Sequence, residues 1–91
     1  MELDKLLRSV GKKTFIRNYE LFKNVALSNA EVIDKLPQHF TLKARNSKTG
    51  HARKIFKDGL GRQALENIIA SPKMDSEVTE EARKILANEI D

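Results

Sequence analysis

Residues 28–40 read SNAEVIDKLPQHF, and both ends of a helix are written into them. Ser28 followed three positions later by Glu31 is a capping box: the serine oxygen accepts from the Glu31 backbone N–H, and the glutamate reaches back to the Ser28 N–H. Val32, Ile33 and Leu36 recur at helical spacing and turn inward for two turns. Pro37 then stops the helix, because it brings no N–H and its ring collides with the preceding turn. A short helix over 29–36 is the anchor from which the rest of the chain is read.

Upstream, Leu3, Leu6, Leu7 and Val10 mark a first helix, with Glu2 and Asp4 in its opening turn and Gly11 as its stop. A second is expected over 13–24, where Phe15, Tyr19, Phe22 and Ala26 form one stripe with Ile16 beside it. Four of the five aromatics stand at or before Phe40, so this helix is expected to anchor the core.

Downstream lies RNSKTGHARKIFKDGLGR, residues 45–62, with six basic side chains against the single acid Asp58. Ala52, Ile55 and Phe56 share one helical face, and Arg53, Lys54 and Lys57 lie opposite. Carried backward, the outer face also takes Gly50, Ser47, Asn46 and Lys43. Arg45 and Lys48 then fall on the inner face. Either the helix begins near Asn46 or Ser47, giving a basic helix over 47–58, or those two side chains snorkel past the core edge. Gly59 is a suitable C-terminal stop.

Beyond it, Ala64, Leu65, Ile68 and Ile69 predict a short helix ended by Ser71-Pro72. Asp75 or Ser76 caps a last helix carrying Val78, Ala82, Ile85, Leu86 and Ile90 on one stripe. No segment alternates as a strand does. The expectation is an all-α single domain over 1–91 with five helices: a core over 13–58 and a C-terminal helical hairpin over 61–91.

Composition narrows the function. No cysteine is present, which removes disulfides and thiolate metal sites. No apolar run approaches a membrane span, and MELDKLL is acidic where a signal peptide is basic. The chain reads as soluble and cytoplasmic. Its charge is segregated: residues 41–62 hold seven basic side chains and one acid, whereas 63–91 hold three bases and seven acids. A polyanion-binding face produces such asymmetry. So does an ordinary solvated helix face, or pairing of Arg45 and Lys48 with acids of the last helix.

Chemical motifs are weak. Gly11-Lys12-Lys13-Thr14 matches the end of a phosphate-binding loop, but Leu6 stands where that loop needs its first glycine. Gly59-x-Gly61-x-x-Ala64 fits a dinucleotide fingerprint only if a strand precedes it, and a helix does. His39 and His51 lack further ligands for a metal, and the adjacent Glu80 and Glu81 point in different directions on a helix. Neither a catalytic site nor a cofactor is expected.

The capped helix 29–36, a break and the basic helix 47–58 together resemble the helix-turn-helix of small bacterial DNA-binding domains. Ile33 and Pro37 stand where that motif usually has a small residue and a glycine. The resemblance implies that the basic helix lies in the major groove while the helix before it crosses the backbone. It implies a nucleic-acid-binding set of Lys43, Asn46, Ser47, Lys48, Gly50, Arg53, Lys54 and Lys57. Arg53 or Lys54 would meet guanine and Asn46 adenine; Ser47 and Lys48 would hold a phosphate at the helix N-terminus. Lys12, Lys13 and Arg17 would add phosphate contacts if the fold brings them round. DNA is favoured over RNA because the aromatics are committed to core stripes. The function expected is that of a transcriptional regulator or accessory DNA-binding domain, with the last helix as a candidate homodimer surface. The alternative is a protein–protein adaptor that uses the C-terminal hairpin.

Overall fold

The computed structural model describes residues 2–89, and every regular element in them is helical: α1 Leu3–Val10, α2 Lys12–Arg17, α3 Tyr19–Lys23, α4 Asn29–Lys35, α5 Leu42–Lys57, α6 Gly61–Ile69 and α7 Ser76–Glu89. Seven helices thus stand where five were expected. The sequence pattern itself marks six helical segments, and a break in one of them makes seven. A second difference, the earlier start of α5, adds no helix, and each has a local cause.

The expected helix 13–24 is two helices broken at Asn18. Its backbone leaves helical geometry (φ −119°, ψ 24°), and its side-chain Nδ2 donates to the Thr14 carbonyl at 3.0 Å. Asparagine competes in this way with the backbone for its own helix's acceptors. The aromatic stripe survives the break. Phe15, Tyr19 and Phe22 are all buried, with Phe15 edge-on to Tyr19 at 5.5 Å and parallel to Phe56 at 5.5 Å. Ala26 does not belong to it; α3 ends at Lys23 and Ala26 is exposed.

Helix α4 begins where the sequence places it and ends one residue earlier, at Lys35, with Leu36 as its C-cap. Ser28 Oγ accepts from Glu31 N at 3.2 Å, and Glu31 Oε1 accepts from Ser28 N at 3.0 Å. Val32 and Leu36 are buried, while Ile33 is half-buried.

Helix α5 begins at Leu42, five residues before Ser47, because Thr41 caps it by accepting from Ala44 N at 3.1 Å. The long inner-face cations are accommodated by snorkelling. Arg45 Nη1 donates to the Ile33 carbonyl at 3.2 Å, and Lys48 Nζ donates to the Val10 carbonyl at 2.8 Å while lying 4.8 Å from the Phe40 ring centre. Both bonds go to carbonyls in the last turns of α1 and α4, where the intrahelical ladder runs out; the Ile33 carbonyl also accepts from Leu36 N at 3.4 Å. At its other end α5 closes in a Schellman turn. Gly59 takes φ 72°, its N–H donates to Phe56 O at 3.1 Å, and Leu60 N donates to Ile55 O at 2.9 Å.

The core gathers Leu6, Leu7 and Val10 of α1, the α2–α3 aromatics and Ile16, Val32 and Leu36 around α4, and Ala52 and Ile55 of α5. Ala64, Leu65 and Ile68 of α6 and Val78 and Ala82 of α7 complete it. Helix α5 is central: α1, α3 and α4 pack against it, and α7 packs on α6 and α2. The hairpin is therefore docked through α7 to the N-terminal helices, and α5 keeps one long side open to solvent.

Candidate nucleic-acid interface

The open side of α5 carries Lys43, Asn46, Ser47, Gly50, Lys54 and Lys57, all exposed. At 100° per residue these six positions fall within an arc of about 100°, and sixteen residues run about 24 Å. No carboxylate lies within that arc. Asp58 stands at its C-terminal edge, where it pairs with Lys54 at 3.3 Å. An exposed pair of this kind contributes little to stability.

Three of the expected site residues take other places. Lys48 is turned inward to Val10 and Phe40 and does not belong to the face. Ser47 and Lys48 are not at a helix N-terminus, since five helical residues precede Ser47; the amides offered there belong to Leu42 and its neighbours. Arg53 is half-buried on the border of the stripe, where its Nη2 donates to the Asn24 carbonyl at 2.9 Å and its buried Nε has no partner. It ties α5 to the loop after α3. Asn46 Nδ2 donates to Leu42 O at 2.9 Å, which leaves its amide oxygen and one N–H outward. The Arg45 guanidinium and the Lys48 ammonium bond backbone carbonyls rather than acids of α7.

Gly50 is the least expected member. It lies mid-helix, fully in the arc, and a Cβ built there meets nothing within 4 Å. Glycine in a helix interior costs about 1 kcal/mol relative to alanine. Neither packing nor a positive φ requires it.

The other border of the stripe is formed by His51, whose Nδ1 is 2.6 Å from Ser9 Oγ on α1 and 3.4 Å from Ser47 Oγ. Beside Arg53, the loop after α3 and the outer side of α5 enclose an open groove of about 540 Å³. Phe22, Phe56 and Val25 supply its apolar lining, and Lys23, Arg53, Lys54 and Lys57 its cations. Val25 and Lys23 escaped the sequence reading. Val25 is 95% exposed, and Leu42, in the first turn of α5, is 61% exposed.

The more distant cations do not join this face. Lys12 Nζ donates to Ser71 Oγ at 2.7 Å. Lys13 and Arg17 line a separate depression with Pro37, His39 and Phe40, and lie beside Asp75 and Glu77 on its other flank. On α7, Val78 and Ala82 are buried, and Ile85 and Leu86 pack partly buried against the core; Ile90 lies outside the described residues. Among the described residues no His, Cys, Asp or Glu group is placed to hold a metal ion, and no helix is long and apolar enough to cross a membrane.

Compared with protein-family models, curated proteins and solved structures, the chain matches none.

Proposed function

We propose that the chain is a non-enzymatic DNA-binding protein, a transcriptional regulator or accessory DNA-binding domain, in which α4 and α5 act as a helix-turn-helix pair and α5 lies in the major groove. The observation that carries this reading is the carboxylate-free outer arc of α5 with a glycine at its middle that the fold does not need. Lysines at 43, 54 and 57 supply a sequence-independent attraction to phosphates. Asn46 presents an amide of the type that pairs with adenine. Gly50 lets the helix backbone approach closely.

The connection between α4 and α5 also favours the pairing. Residues 36–41 join the two helices, a shorter link than the sequence pattern implied. Arg45 then bonds the Ile33 carbonyl and fixes α5 against α4. Adaptor binding through the C-terminal hairpin has less support, because Val78 and Ala82 of α7 are buried in the core and Ile85 and Leu86 pack partly buried against it. A titration of isotope-labelled protein with a short mixed-sequence duplex, followed by amide chemical shifts, tests the proposal. Shifts concentrated at 43–57 are expected. Shifts confined to α6 and α7, or none at all at low salt, would overturn it.

A further inference from the structure

We infer that the groove between the loop after α3 and the outer side of α5 seats one sugar–phosphate strand of DNA, with Val25 against the deoxyribose. The inference rests on the DNA-binding reading above and deepens it by naming the part of the duplex that the groove beside α5 meets. A helix lying in a major groove about 12 Å wide fills most of it, so whatever flanks the helix meets the strand that walls the groove rather than the base edges. Here the flanking element is the loop at residues 24–26.

That wall presents alternating anionic phosphates and apolar sugar faces, and the groove is built of the same two chemistries in complement. Arg53, Lys54 and Lys57 supply the charge, and Val25 the apolar contact. A single exposed apolar side chain needs no explanation by itself. Val25 differs because its loop is held in place by the site's own arginine. Arg53 Nη2 donates to the Asn24 carbonyl at 2.9 Å, and Asn24 Oδ1 accepts from Ala26 N at 3.0 Å. The Asn24 carbonyl also accepts from Leu27 N at 3.2 Å. A fixed turn thus holds a 95% exposed valine beside the phosphate-binding cations. Ribose would bring a 2′-hydroxyl, the group that lets a protein tell RNA from DNA, and burying it against Val25 would leave it without a partner. The apolar wall therefore selects DNA.

The test measures Kd by fluorescence anisotropy on a DNA duplex and on the DNA·RNA hybrid of the same sequence, for wild type, Val25→Ser and Lys57→Gln. Val25→Ser alters no charge and no buried contact, so its circular dichroism should match wild type. It is expected to weaken DNA binding about fivefold, from the loss of a partly buried valine contact, with the slope of log Kd against log salt unchanged. Its preference for DNA over the hybrid should shrink by a similar factor. Lys57→Gln should instead flatten the salt slope by about 0.9. If Val25→Ser binds both duplexes as wild type does while Lys57→Gln flattens the slope, the strand-seating inference is overturned and the DNA-binding reading stands. If wild type binds no duplex at low salt, or an acidic helical peptide binds the groove in place of DNA, both fall.

Discussion

Replacing Gly50 by alanine separates the stability of α5 from its use. The residue lies in the interior of a sixteen-residue helix, and a Cβ there meets no heavy atom within 4 Å. Alanine should therefore recover most of the helix-propensity difference, about 0.8–1 kcal/mol. For a domain of this size, 1 kcal/mol moves the melting temperature by about 4–8 °C. Gly50→Ala is thus expected to raise the midpoint in a calorimetric or circular-dichroism melt by roughly 3–8 °C. On the DNA side the sign reverses. A methyl forced into a close-packed contact costs about 1–3 kcal/mol, roughly 5- to 150-fold in Kd, with the salt slope unchanged because no charge is altered. A lower melting temperature would refute the claim that the fold does not need this glycine. A higher one with unchanged DNA affinity would refute the claim that the helix backbone approaches the ligand at this point.

Other expectations concern the frame that holds α5. Thr49 is fully buried on its inner face, and its hydroxyl has no partner; Thr49→Val should stabilise the protein by about 1 kcal/mol in urea denaturation. Lys48→Met keeps the aliphatic stem but removes the bond to the Val10 carbonyl, so a loss of about 1–2 kcal/mol is expected. Its salt slope for DNA should stay that of wild type, because the side chain is turned inward. The Glu31 carboxyl is held below the ordinary glutamate range by the Ser28 backbone N–H and then by the Ser28 hydroxyl. A depressed carboxylate adds stability above its unfolded pKa, about 4.3, and loses it as pH falls through the lower folded value. Stability should accordingly decline in that acid window in wild type more steeply than in Glu31→Gln, which an acid-titration series of chemical denaturations would read.

The parts of the fold legible in the sequence are those set by local chemistry. Ser28 with Glu31, Pro37, Gly11 and Gly59 mark ends through groups that act within a few residues, and α1, α4 and the C-terminal end of α5 lie where they indicate. The start of α5 was hidden for a different reason. Thr41 caps it without a glutamate three positions on, because Ala44 stands there. Arg45 and Lys48 also look misplaced when residues are sorted only as apolar or charged. Their stems are long enough to cross the core edge and reach carbonyls of α4 and α1, which a count of residue types does not register. The break at Asn18 was hidden because the aromatic stripe continues through it in phase.

The outer arc of α5 was legible because charge and periodicity agree there for Lys43, Asn46, Ser47, Gly50, Lys54 and Lys57. Which cations leave that face depends on tertiary partners. Lys48 has the same residue type as the exposed lysines and differs only in the backbone carbonyl within its reach, whereas Arg53 stays at the border of the face with one nitrogen held by the Asn24 carbonyl. Val25 carried no signal, since an exposed valine and a core valine are spelled alike.

The most direct measurement of the central claim is the salt dependence of binding to a labelled mixed-sequence duplex at about 50 and 200 mM salt. Wild type would be run beside Lys43→Gln/Lys57→Gln. With Lys43, Arg53, Lys54 and Lys57 each meeting a phosphate, a slope of about −0.9 per contact gives roughly a hundredfold loss of affinity across that range. The double variant, folded by its circular dichroism, should bind more weakly and lose only about a tenfold factor. Binding that is absent from wild type at 50 mM, or equal in slope and strength in the double variant, would show that the arc is solvated surface and that α5 does not meet DNA.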